Sequence, residues 1–164
     1  MTMPTTDDEL RAYYRRWFSF TRWANQTVLT ALQGMAAPPD RAVESLQHAI
    51  QGERTWLARL TEAPIPGPKT WGPYSLANCD DFAQAMEAGW DAYIDALTIE
   101  QLSAPITWHG PDGIDRHDSV GEGLQHMLLH SARYRGEATG VINAAGLSVP
   151  DVDFMHWRYG VELA

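Results

Sequence analysis

Cysteine is all but missing from this chain. Cys79 is the only one in 164 residues, which excludes an internal disulfide and a cysteine-based zinc site and leaves a thiol best read as structural. Long apolar runs are missing too: no stretch approaches the roughly 18 consecutive apolar residues of a membrane-spanning helix. The opening MTMPTTDDEL has neither the basic start nor the apolar stretch of a signal peptide, so the cytoplasm is the expected compartment. Positive charge is scarce: 12 Lys and Arg stand against 21 Asp and Glu, a formal charge of −9. A surface of that sign repels a nucleic-acid backbone and an anionic membrane, and neither is an expected partner.

What the chain does contain is ordinary for a globular protein, with 45% hydrophobic and 20% charged residues, apart from an unusual seven tryptophans. Its length suits one domain, residues 1–164, with a single hydrophobic core. No internal repeat or low-complexity tract interrupts it. Pro and Gly clusters instead divide it into four long segments and one short one.

The first segment predicts a helix from about Thr6 to Gln33, capped by Thr6 or Asp7. Leu10, Tyr14, Trp17, Thr21, Ala24, Val28 and Leu32 recur along it at three- and four-residue steps, and Gly34 and Pro38-Pro39 end it. A second helix is expected from about Asp40 to Thr61, followed by the Pro-rich crossover APIPGPKTWGP, which carries Trp71. The third starts near an Asn78 cap and runs through Phe82, Met86, Trp90, Ile94 and Leu97 to about Thr98. ITWHGPDGIDRHD, residues 106–118, is a short, peripheral β-hairpin signal around a Gly-Pro-Asp-Gly turn. The fourth helix begins near Ser119, with Glu122 completing a capping box, and ends at Ala145 before Gly146. A tail from Pro150 is anchored by Phe154 and Trp157. Four long helices with almost no strand predict an all-α four-helix bundle.

The sharpest chemical signal is His126-Met-Leu-Leu-His130 in the fourth helix. Histidines four apart leave one helical face about a turn apart and can share a metal ion, although many such pairs hold none. Met127 stands where a zinc protease of the HExxH type has its glutamate, which takes away most of the support for that reaction class. On a helical wheel Leu124, Leu128, Ser131, Ala138 and Ile142 form one stripe, and His126, His130, Tyr134 and Glu137 form a polar ladder beside it. In the second helix His48 lies off the apolar face, on a strip with Ser45, Gly52 and Thr55, and the missing side chain of Gly52 permits close approach. If that strip faces the ladder, His48 joins His130 and either His126 or Tyr134. The wheel permits this without requiring it. Such a donor set suits zinc, nickel or iron about equally. His109, His117 and His156 are read as surface residues.

Three stretches, in order, resemble the DinB/YfiT-like family: Tyr14 to Asn25, ending Trp-Ala-Asn; Leu46-Gln-His-Ala-Ile with Glu53 and Trp56-Leu57; and Leu124-Gln-His-Met-Leu-Leu-His-Ser-Ala-Arg-Tyr-Arg-Gly-Glu. Gly146, Pro150 and Asp153 extend the likeness into the tail. The resemblance implies an up-down-down-up four-helix bundle with a hairpin before the last helix, and a divalent metal held by one histidine of the second helix and two of the fourth. His48 and His130 carry over as ligands, and His126 matches the first histidine of the family's run. Tyr134 and Glu137 replace the family's third histidine and its glutamine, so the third ligand is His126 or Tyr134. A phenol ordinarily ionises near pH 10, so a metal would have to displace its proton.

The resemblance further implies metal-dependent chemistry on a small-molecule substrate. The expected reaction is hydrolysis or transfer to a low-molecular-weight thiol such as bacillithiol or mycothiol. Asn25 is the candidate to orient substrate, and Glu53 or Glu137 the candidate proton acceptor. The competing expectation is a stress-related binding or homodimerisation module whose metal site has degenerated. DNA binding, suggested by the family's association with DNA damage, is opposed by the charge.

Overall fold

The computed structural model describes residues 4–65, 75–110, 112–149 and 151–160. Helix α1 spans Asp7–Gln33, and its first turn is closed by a capping box: the Thr6 side chain accepts from the Glu9 amide while the Glu9 carboxylate reaches back. Asp7, Asp8 and Glu9 also place negative charge on the positive end of the helix dipole. Helix α2, Asp40–Leu60, starts after Pro39 without a side-chain cap. Helix α3 is Leu76–Ala96, and its cap is Ser75 rather than Asn78, whose amide donates to the Ser75 hydroxyl. Serine and asparagine cap comparably, so local sequence did not choose between them. Most of the Pro-rich crossover, with Trp71, lies outside the described residues, as does Pro150 of the tail.

A single 3-10 turn, Glu100–Ser103, leads into strands β1, Pro105–His109, and β2, Asp115–Ser119. They pair antiparallel with Trp108 opposite Arg116. The hairpin is less peripheral than its length suggests, because Ile106 and Trp108 pack against the core cluster. Trp108 also meets Trp56 edge-on, with ring centroids 5.5 Å apart. Helix α4, Val120–Ala144, opens on the expected Ser119–Glu122 capping box. A last short helix, α5, Phe154–Tyr159, is capped by Asp153 and terminated by Gly160 in the left-handed conformation. Its Phe154 stacks on Trp17 at 4.4 Å, so the tail is anchored where expected. No described helix is long and apolar enough to cross a membrane.

The core joins Val28, Leu29 and Leu32 of α1, Leu46 and Ile50 of α2, Ile94 of α3 and Leu124, Met127 and Ile142 of α4, all essentially inaccessible. Helix α2 lies deepest. Nine consecutive residues, Ser45 to Glu53, are buried, which a helix achieves only when neighbours cover every face. Positions 48, 52 and 56 of α2 meet 130, 130 and 126 of α4. Positions 54 and 57 meet 82 and 89 of α3.

A candidate metal site between the second and fourth helices

The burial of α2 decides what His48 faces. Its side chain is 7% exposed, and its Nε2 lies 3.2 Å from the Nε2 of His130. Gly52 makes room for this approach: a Cβ there would stand 2.6 Å from the His130 ring. Burial, helped by His48, His126 and Arg133, depresses the pKa of His130 to about 4. At neutral pH it is therefore an uncharged imidazole, the form that offers a lone pair. Its Nδ1 is buried without a hydrogen-bond partner among the described residues.

Two donors held about 2.0–2.1 Å from one tetrahedral ion stand about 3.3–3.4 Å apart. The spacing of His48 and His130 matches that bite. Tyr134 is the third group at the pair, its ring centroid 4.1 Å from that of His48 and 4.7 Å from that of His130. His126 lies one turn away, 5.4 Å from His130, leaning on Trp56 at 5.1 Å. Burial and the nearby Arg59 cation lower its pKa as well. Among the described residues no three His, Cys, Asp or Glu side chains converge as a metal site. The side chains brought together here are thus two imidazoles with a phenol ring beside them.

Asn25 and Glu53 belong to a different cluster. Asn25 Nδ2 donates to Glu53 Oε1 at 2.7 Å, Ser131 Oγ donates to the same oxygen at 2.8 Å, and Arg135 Nη1 donates to Asn25 Oδ1 at 2.9 Å. Burial raises the pKa of Glu53, opposed by Ser131, Asn25 and the charges of Arg135 and Arg22. Because Glu53 follows Gly52 and Ser131 follows His130, the Glu53–Ser131 bond fixes the register that brings the two histidines together. Glu137 is engaged elsewhere, accepting from the guanidinium of Arg41.

Arg135 was missed by sequence reasoning. Its signal was present: position 135 falls on the apolar stripe between Ser131 and Ala138, where an arginine needs a buried partner. His109 and His117 are exposed as expected, but His156 is half-buried against Trp23. That assignment is corrected because α5 folds the tail back onto α1.

No curated protein matches the chain. The family model described as DinB superfamily matches residues 6–138, which include both histidines of the facing pair, His126, Tyr134 and the whole Asn25–Glu53–Ser131–Arg135 network. The chain belongs to the DinB superfamily.

Proposed function

We propose that the protein is a metal-dependent enzyme in which His48 and His130 hold a divalent ion, with Tyr134 as the third protein donor. The observation that carries this reading is the 3.2 Å separation of the two Nε2 atoms across the cleared edge of Gly52. A bound zinc, nickel or iron ion supplies Lewis acidity and lowers the pKa of a coordinated water or thiol. Hydrolysis or thiol S-transfer with a low-molecular-weight thiol is the chemistry such a site supports. The helix contacts described above support an up-down-down-up order, which places α2 beside α4 for this purpose.

The chain's own residues divide the work. The buried environment keeps His130 neutral, so no proton must leave before it can act as a donor. Asn25, Glu53, Ser131 and Arg135 are positioning residues, since their hydrogen bonds run within the set and tie α1, α2 and α4 together. His126 takes over the role of proton acceptor first expected of Glu53 or Glu137. It is exposed, its lowered pKa leaves it neutral, and it makes no hydrogen bond to a described residue.

A second reading is favoured by one observation, the lack of three convergent His, Cys, Asp or Glu side chains among the described residues. It makes the protein a non-catalytic binding or homodimerisation module. Elemental analysis after dialysis without chelator separates the two. Near-stoichiometric metal that disappears in both His48→Ala and His130→Ala supports the enzyme and directs a thiol-transfer and hydrolase screen. A metal-free protein that cannot be reloaded supports the module.

A further inference from the structure

A cavity of about 650 Å³ lies between α1, α2 and α3, within the range of small-molecule sites. None of His48, His126, His130 or Tyr134 lines it, so it is separate from the histidine pair. Phe18, Trp23, Leu29, Ile50, Met86 and Trp90 make most of the wall apolar and aromatic. Glu53 and Asn25 form the buried polar part of the wall, at 8% and 5% exposure.

Glu53 is asymmetrically bonded. Asn25 and Ser131 both donate to Oε1, and Oε2 takes neither bond. A carboxyl group in an apolar wall with one oxygen uncommitted is costly when ionised and becomes favourable only if a positive charge or a donor meets it. The charged residues around the cavity say which. Among the described residues Glu53 and Glu87 line it with Arg22, whose charge reaches Glu53 but whose hydrogen bonds go to Glu87 and, at 2.9 Å, to Asp91. Arg135, which acts on Glu53 through its charge, spends its hydrogen bond on Asn25. An anion would face surplus negative charge here, whereas an ammonium group would find a carboxylate oxygen and the aromatic side chains of Phe18, Trp23 and Trp90, whose π-systems attract cations. The net charge of −9 adds a long-range bias of the same sign.

We propose that this cavity binds an amphipathic organic ammonium ion, its apolar body among the aromatic side chains and its nitrogen on Oε2 of Glu53. The site is independent of the metal reading and operates with or without an ion at the histidines.

The test is calorimetric titration of the full chain with 4-phenylbutylamine and with its isosteric alcohol, 4-phenylbutanol. The amine is expected to bind about tenfold more tightly or better, the scale of a charge-assisted hydrogen bond in a water-poor site. Glu53→Gln keeps an oxygen for Asn25 and Ser131 while removing the charge, and should erase that preference. Ala83→Trp, which fills the cavity from α3, should abolish binding of both ligands. Carbon-13 NMR of the Glu53 carboxyl in the unmutated protein gives a readout that needs no variant: its resonance should shift on amine binding and stay in place on alcohol binding. Equal binding of amine and alcohol, binding of neither, a preference that survives Glu53→Gln, or an unmoved carboxyl resonance would each overturn the proposal.

Discussion

Two polar clusters share the seam between α2 and α4, one residue apart on each helix. Gly52 and His130 belong to one, Glu53 and Ser131 to the other. The Glu53 cluster is bonded largely within itself: Asn25, Ser131 and Arg135 supply its donors, all four residues are buried, and only Oε2 of Glu53 stands outside these bonds. The histidine cluster is open: His130 is half-buried, its Nδ1 lacks a partner among the described residues, and His126 beside it is exposed. A buried network bonded within itself fixes geometry, while lone pairs held together without full satisfaction are what a metal or substrate can use. On the proposed function, the first cluster chiefly holds the helices in register and the second holds the ion.

The largest expected effect breaks the Glu53 cluster. Arg135→Ala removes the shorter of the two hydrogen bonds to Asn25 Oδ1 and one of the two positive charges acting on Glu53, and should cost about 3 kcal/mol in urea unfolding. His48→Ala should cost about 1 kcal/mol, near the centre of ordinary substitutions. Equal losses would erase the distinction between the clusters.

Gly52→Ala sharpens it from the other side. The new Cβ meets the far end of the His130 side chain, which can swing away, and alanine is the better helix former by about 1 kcal/mol. Thermal stability should therefore change little while metal affinity, measured by competition with a chromogenic chelator, falls on the order of a hundredfold, about 2.7 kcal/mol.

The two clusters should also respond oppositely to pH. In metal-free protein the unfolded chain's histidine takes up a proton below about pH 6.5, whereas folded His130 resists until about pH 4. Stability is lost as pH falls through that window, by about 1–2 kcal/mol after discounting for solvent screening of a partly exposed ring. Glu53 has the reverse sign. Its folded pKa is raised, so its contribution is complete at low pH and is lost as pH rises from the unfolded carboxylate value through the folded one. Denaturant melts across pH 4–7 should show the histidine slope flattened in His130→Gln and retained in Glu53→Gln.

The smallest expected effect separates the two candidate third ligands. Tyr134→Phe should weaken metal binding about tenfold, and His126→Ala should leave it within about threefold while lowering turnover, because only the former removes a donor at the pair. The opposite ranking would move His126 into the coordination sphere.

Much of this was legible along the chain. The Thr6–Glu9 and Ser119–Glu122 capping boxes form where the sequence places them, since capping depends on residues within one turn. Other features were not. Ser75 displaces Asn78 as a cap, and Arg135 was read past although it interrupts the apolar stripe of α4. The facing of His48 and His130 was one of several arrangements the helical wheels allowed, because a wheel orders residues around one axis without fixing its rotation against a neighbour.

The sequence by itself determined that this is a helical chain of the DinB superfamily and where α1, α2 and α4 start. Those properties rest on local capping, on 3.6-residue periodicity and on short motifs. Tertiary structure alone decided that Tyr134 sits closer than His126 to the histidine pair, that Glu53 and Asn25 belong to a network bonded largely within itself, and that a cavity opens beside them. These depend on the rotation and depth of α2 against three neighbours, and packing across the whole core sets both.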